Sequence, residues 1–200
     1  MTIDTKDLLN SILSSISRID YIRPNEIPNI DLYMDQVTTF MEEQLKRTKR
    51  YEEDKILTKT MINNYAKNDL LPPPVKKKYS KEHMLMLVFI YYFKNILSIS
   101  DIQKLLEPIT QKYFSGEGSI DLTSLYEEIM KLELEQIDPL AKDVTRKFSM
   151  AGDSFQEVPE EEKDFLHKFA FICMLSFDVY VKKQVIENLI DQMAGKEEEE

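Results

Sequence analysis

The chain has 200 residues and a formal net charge of −10, from 36 Asp and Glu against 26 Lys and Arg. This length allows one domain, or two small ones, with a substantial apolar core. Four glycines disfavour a glycine-rich phosphate loop, and the single cysteine, Cys173, excludes an intrachain disulfide and a cysteine-rich metal site.

The spacing of apolar residues predicts two helices near the start of the chain. The first covers 5–17. A connector with two prolines follows over 18–28, and the second helix opens at Asn29 or Asp31 and runs to Leu45. Its inward side chains are predicted to be Leu32, Val37, Phe40, Met41 and Leu45, and a charged stretch over 46–55 comes after it.

Three hydroxyl side chains predict the starts of the next three helices, because Ser and Thr oxygens accept a free backbone N–H there. Thr58 precedes a short helix to about Asn68, Ser80 precedes a helix over 81–95, and Ser98 has Asp101 at capping-box spacing. The run MLMLVFIYYF makes the helix over 81–95 a central, buried one.

The segment between the first two of these helices is predicted to be non-helical. Asp69 lies where a tight turn is expected, and Pro72-Pro73-Pro74 cannot continue a helix, since each proline lacks an N–H and fixes φ. Residues 75–79 are therefore expected to be extended, as a small β-wing.

The C-terminal half is predicted to be helical throughout. Helices are expected over 121–137, from Asp138-Pro139 to about Met150, and from Pro159 to Gly195, with Pro139 at the first helical position. The glycine-containing stretch 111–122 suggests a domain boundary, which divides the chain into 1–110, 111–195 and a disordered acidic tail, 196–200. The fold class is thus all-α with at most a minimal β-wing.

The basic residues are concentrated in one segment. Residues 46–94 hold 12 Lys and Arg against 5 Asp and Glu, whereas 1–45 hold 3 against 8 and 95–200 hold 11 against 23. A basic segment between two acidic ones indicates one localised anion-binding face. The alternative is a chance cluster on a solvated surface.

Residues 58–106 resemble the DNA-binding domain of the MerR-like regulators. That family has a recognition helix ending in Leu-Leu-x-Pro, a basic wing, Tyr-Ser, a buried helix, and a helix with Ile-x-x-Leu-Leu. The counterparts here, in order, are MINNYAKNDLLPPP, VKKK, YSKEHMLML, VFIYYFKN and LSISDIQKLL. The resemblance implies an N-terminal helix-turn-helix that binds double-stranded DNA, followed by a C-terminal helical bundle.

The N-terminal half also resembles a bacterial domain of unknown function typical of low-GC Gram-positive bacteria. The phrases DLYMDQVTTF, LTKTMINNY and KKYSKEH carry this second resemblance. It adds consistency to the fold without adding an activity.

The helix-turn-helix resemblance indicates ten candidate DNA contacts. Asn63 and Asn64 suit adenine edges in the major groove, the residues at the start of that helix suit phosphate, and lysines neutralise phosphate charge. Exposed polar helix positions and a solvated lysine loop are the alternatives. The ten are Thr58, Lys59, Thr60, Asn63, Asn64, Lys67, Lys76, Lys77, Lys78 and Lys81.

The last helix has a wide apolar face with several phenylalanines, including Phe165, Phe169 and Phe177. Burial in the core is one interpretation. The other is a homodimer interface or a small-ligand pocket, and a palindromic operator would require a symmetric dimer.

The sequence indicates no enzyme, no cofactor and no metal site, because His83 and His167 lack a ligand pattern and no nucleophile motif is present. The N-terminus has an early acid and no long apolar core, and the longest apolar run, Met84 to Phe93, is too short to cross a bilayer. We therefore expect a cytoplasmic transcription regulator. The alternative is a helical protein-interaction module that no longer binds DNA, favoured by the net negative charge and the missing recognition-helix arginine.

Overall fold

The computed structural model describes residues 5–16 and 22–195. Its contacts divide these residues into two compact units, one of 22–130 with 187–195 and one of 5–16 with 131–186. The boundary predicted within 111–122 is one between independently folding domains, which is a different property from these contact-based units. It stays a prediction. The acidic tail, 196–200, lies outside the described residues.

The described chain is mainly α-helical, which confirms the predicted fold class. Its extended pairing consists of a sheet of two two-residue strands and one isolated antiparallel bridge between Val75 and Lys78. In chain order the elements are α1 (Thr5–Ile16), β1 (Leu32–Tyr33), α2 (Met34–Leu45), α3 (Lys59–Lys67), β2 (Lys78–Tyr79), α4 (Lys81–Phe93), α5 (Ile99–Ile109), α6 (Leu122–Leu134), α7 (Ile137–Gly152) and α8 (Glu160–Gly195).

Helix α4 is the centre of the 22–130 unit, as its all-round apolar sequence predicts. Nine consecutive residues, from His83 to Tyr91, are buried. Buried side chains of α2 and α3, among them Met41, Leu45 and Ile62, complete this core. Each such aliphatic side chain contributes about 1.5–3 kcal/mol when fully removed from water. The core therefore fixes α3 from its inner side.

The second helix begins later than predicted, at Met34 instead of 29–31. Leu32 and Tyr33 form β1 and pair antiparallel with β2, Leu32 opposite Tyr79 and Tyr33 opposite Lys78. Leu32 and Tyr79 are both buried. The pairing with β2 keeps residues 32–33 out of the helix, and the Tyr33 N–H donates to Gln36 Oε1 at 2.9 Å, which starts α2 at the next residue.

The three predicted N-caps are confirmed. The Thr58 hydroxyl accepts the Met61 N–H at 3.2 Å, and the Ser98 hydroxyl accepts the Asp101 N–H at 3.1 Å. At α4 the cap is reciprocal, because His83 Nδ1 also accepts the Ser80 N–H at 3.0 Å. These local signals set the starts of α3, α4 and α5.

The end of α3 follows from Asp69, which lies at the predicted turn with φ +57°. The Leu70 N–H returns to the Tyr65 carbonyl at 2.9 Å, the 6→1 bond of a Schellman motif. Leu70 and Leu71 are buried directly after it. The motif therefore ends the helix and attaches the proline segment to the core.

The 131–186 unit contains α1, α7 and the greater part of α8. Helix α7 begins at Ile137, so Pro139 is the third helical residue and not the first. Proline is tolerated there because the first N–H groups of a helix have no intrahelical partner. Buried Lys147 pairs with Asp143 and Asp178, and the rings of Phe148 and Phe171 meet edge to face at 5.3 Å.

Across residues 5–16 and 22–195, no helix combines the length and the apolarity that crossing a membrane requires.

Candidate nucleic-acid interface

Five of the ten candidate residues lie on one exposed face of α3. At about 100° per residue, Lys59, Thr60, Asn63, Asn64 and Lys67 span an arc of about 140°, and all five are exposed. Ile62 and Tyr65 occupy the opposite side and are buried. We call these five residues the α3 face. It is an unbroken polar surface with hydroxyl, amide and ammonium groups.

Two buried apolar residues after the charged segment fix where α3 starts. Ile56 and Leu57 are buried immediately before the Thr58 cap. Lys94 Nζ, at the end of α4, donates to the Ile56 carbonyl at 2.6 Å, and burial lowers the pKa of Lys94 below its ordinary value. The start of α3 is therefore held against the central helix although a long polar loop precedes it.

Three further candidates belong to the short hairpin that ends in β2. The Lys78 N–H donates to the Val75 carbonyl at 2.9 Å, and Lys76 and Lys77 between them have φ of +50° and +65°. Positive φ at both central residues is the pattern of a type I′ turn. We call residues 75–78 the lysine turn. Lys76 and Lys77 are exposed at its tip.

Helix α2 supports both groups. It contacts both α3 and β2, and β1 leads directly into it. The α3 face and the lysine turn are thus attached to one helix. Among the hydrogen bonds and ion pairs of the described residues, none joins the two groups directly.

Three of the candidate lysines already have partners. Lys59 forms an ion pair with Asp35 of α2. The ammonium of Lys78 lies 5.2 Å from the centre of the Tyr33 ring. Lys81 lies near Asp121, whose pKa is lowered first by the backbone and side chain of Ser124 and further by the Lys81 charge. Lys67, Lys76 and Lys77 are the candidate cations with the fewest restraints.

Tyr33 and Asp35 are the two neighbours of the site that the sequence did not indicate. Tyr33 is half exposed and flanks the lysine turn through Lys78. Asp35 reduces the charge of the α3 face at its N-terminal end. Neither contact has a local sequence signal, because each depends on the packing of β1 and α2 against residues far along the chain.

His83 fixes the hairpin to the central helix. Its ring meets Tyr79 of β2 edge to face at 5.4 Å and Phe114 at 4.8 Å. Burial lowers the pKa of His83, while the carbonyls of Pro73 and Pro72 and the charges of Glu82 and Asp31 act in the opposite direction. Nδ1 accepts the Ser80 N–H, so the ring is neutral with its proton on Nε2.

In the part of the chain that the structure describes, no group of three or more His, Cys, Asp or Glu side chains is arranged to hold an ion.

The fold and the site together define an all-α domain with a two-stranded antiparallel sheet, a short lysine turn and an exposed polar helix. Residues 22–129 match the model of a family described as a domain of unknown function, DUF1836, and because this match covers more than half of the chain, the chain belongs to that family. The predicted resemblance to such a domain is thereby confirmed. No curated protein and no solved structure matches the chain. The matched segment contains the whole candidate interface.

Proposed function

We propose that the chain is a DNA-binding transcription regulator whose α3 face enters the major groove while the lysine turn contacts the adjacent phosphates. The observation that carries the proposal is the exposed, polar α3 face, with Asn63 and Asn64 halfway along the helix. An α-helix of this kind fits the width of the major groove. The order of α2, α3, hairpin, α4 and α5 also agrees with the MerR-like helix-turn-helix that the sequence resembles.

Each part of the surface has a defined chemical role in this proposal. Asn63 and Asn64 present amide groups that pair bidentately with adenine N6 and N7. Thr58 and Thr60 lie at the start of α3, where hydroxyls and free N–H groups suit phosphate oxygens. Lys67, Lys76 and Lys77 neutralise phosphates, so the affinity falls as salt rises.

The proposed species on DNA is a pair of chains in the cytoplasm. A two-fold symmetric operator presents two equivalent half-sites, and a symmetric dimer places one reading helix in each. The proposal includes no cofactor and no effector.

The first experiment is a salt titration of binding to random duplex DNA, with wild type against Lys76/Lys77/Lys78→Ala. We expect low-salt binding by wild type, and a salt slope that is smaller by about 0.9 for each phosphate that the variant no longer neutralises. Lys112/Lys142→Ala is the control, because both lysines lie outside the interface. Absence of low-salt binding by wild type, or equally weakened binding by the two variants, would contradict the proposal.

The role of α3 is tested separately with Asn63→Ala/Asn64→Ala. These amides are exposed, so the fold is expected to tolerate the change. After selection of a preferred sequence from a random library, the variant should lose about 1–3 kcal/mol of discrimination for each bidentate pair and keep its affinity for random DNA. An unchanged preferred sequence would remove these residues from base recognition.

A second candidate function is a helical protein-interaction module. The pairing of Lys59 with Asp35 and the position of Lys78 over Tyr33 favour it, because two candidate cations are already occupied. An open groove beside α2 supplies a surface for this role, and it is lined by Leu32 and Phe40 with Asp35 and Glu43 among them. Failure of wild type to bind DNA at low salt would favour this function over the first.

A further inference from the structure

Helix α8 exposes a continuous apolar face in its N-terminal half. Six residues share an arc of about 140° on the side opposite buried Phe171: Phe165, Phe169, Ile172, Cys173, Phe177 and Tyr180. Phe165 and Phe177 are 68% and 66% exposed. All six belong to the 131–186 unit. We call this set the α8 face.

The area of the α8 face is too large for an ordinary monomer surface. An aromatic side chain carries about 150–250 Å², so its four aromatic residues expose roughly 500 Å². Ile172 and the flanking valines raise the total to roughly 750 Å², above the largest apolar patch of a typical monomer. The flanking residues are Val179 and Val181. This area is close to what each partner contributes to a standard protein interface, about 800 Å².

We propose that the α8 face binds a second copy of this chain, with the two α8 helices antiparallel about a two-fold axis near Cys173. The face runs from Phe165 to Tyr180, so its midpoint falls between Ile172 and Cys173. An isologous pair places the same patch on both copies. In the proposed regulator, the α8 face would be the interface between the two chains. The argument for this interface uses α8 alone and does not depend on DNA binding.

Charge selects the antiparallel orientation. The helix begins with Glu160, Glu161 and Glu162; Glu162 lies on the side of the α8 face, as does Lys183 at the other end. In an antiparallel pair centred near Cys173, Glu162 of one copy lies beside Lys183 of the other. A parallel pair would place acid beside acid and lysine beside lysine, which is destabilising.

The primary experiment is sedimentation equilibrium of the full chain without DNA. We expect wild type to sediment at twice its 23.6 kDa mass, and Phe169→Glu/Phe177→Glu to sediment as a monomer. Leu132→Glu is the matched control, because Leu132 is as exposed as Phe169 at 53% but lies on α6. Circular dichroism checks that all three are equally folded. A monomeric wild type, or a dimeric double variant, would overturn the proposal.

Orientation is tested by charge reversal in the same assay. Glu162→Lys and Lys183→Glu should each weaken the dimer several-fold, and the combined variant should restore most of the affinity. A parallel pair would show no restoration.

Cys173 reports the position of the axis. Diamide, which takes up two electrons and two protons as two thiols become one disulfide, should rapidly link wild-type chains into a covalent dimer. Cys173→Ser should lose the cross-link and keep the dimer mass. A dimer that resists cross-linking while its thiols still react with a small maleimide would place the axis elsewhere.

The dimer and the DNA proposal fail in different measurements. A monomer that binds duplex DNA with salt-dependent affinity would overturn the α8 pairing only. A dimer that does not bind duplex DNA would overturn only the proposal of a DNA-binding regulator.

Discussion

Single residues decide how firmly the hairpin is attached to the core. His83 closes the α4 capping box with its unprotonated Nδ1 and places its ring between Tyr79 and Phe114. Its Nε2 is buried, and the nearby Pro72 and Pro73 carbonyls raise the pKa of the ring without forming a hydrogen bond of regular geometry with it. A protonated ring would lose the bond from the Ser80 N–H and bring a charge into an apolar environment. The neutral ring is therefore the form that the fold selects.

The first prediction follows from the lowered pKa of His83. The unfolded chain takes up this proton near the ordinary value of 6.5 and the folded chain only at lower pH. The contribution of neutral His83 to the free energy of unfolding is therefore fully present above pH 6.5. It falls as the pH drops below 6.5, by up to about 1.4 kcal/mol per pH unit for one proton. His83→Gln keeps a capping-box acceptor and removes the titration.

Urea unfolding of wild type and His83→Gln between pH 5 and 8 checks this expectation. The variant should show the smaller pH dependence below pH 6.5, whatever its stability at neutral pH. Equal slopes in the two proteins would show that another group takes up the proton.

The lysine turn gives a second prediction at residue scale. Left-handed backbone costs a residue with a Cβ about 1–2 kcal/mol, and Asn-Gly is the preferred pair in a type I′ turn. Lys76→Asn/Lys77→Gly should therefore raise the free energy of unfolding by about 1–2 kcal/mol. The same change removes two lysines that neutralise phosphate in the proposed complex, so it should weaken DNA binding.

Thermal unfolding and DNA titration of this one variant separate the two effects. A more stable protein with weaker DNA binding is the expected pair of results. Higher stability with unchanged affinity would remove the two lysines from the DNA surface. Lower stability would contradict the left-handed turn.

At the scale of elements, the helices with local signals were predictable and the pairings between distant segments were not. The caps Thr58, Ser80 and Ser98 each act within three residues, so their sequence pattern is sufficient to place α3, α4 and α5. Strand β1 depends on β2, which lies far along the chain, and its two residues continue the apolar pattern of α2. The exposed α3 face could be predicted, whereas its neutralising partner Asp35 could not.

The third prediction concerns the start of α3. The Thr58 hydroxyl satisfies the Met61 N–H, so Thr58→Ala should lower the free energy of unfolding by about 1 kcal/mol. Thr60→Ala is the control, because Thr60 is exposed within the same helix and should change stability by less than about 0.5 kcal/mol. Denaturant unfolding measures both, and equal effects would contradict the assigned cap.

At the scale of the molecule, the family segment and the compact unit have different limits. The DUF1836 match covers residues 22–129, but the unit that contains them also includes 187–195, the end of α8. Ile190 is 2% exposed there, and Lys104 of α5 pairs with Asp191 at 3.5 Å. This end of α8 therefore belongs to the core that supports the candidate interface, although it lies outside the family segment.

The fourth prediction tests that contribution. Ile190→Ala removes a buried side chain and leaves a cavity, so it should destabilise the protein by about 2–5 kcal/mol. Leu189→Ala, at the adjacent and 54% exposed position, should cost less than about 1 kcal/mol. Denaturant unfolding at one protein concentration compares them, because self-association makes apparent stability concentration-dependent. If the two variants unfold alike, the end of α8 does not contribute to this core, and residues 22–130 must bury their apolar surface without it.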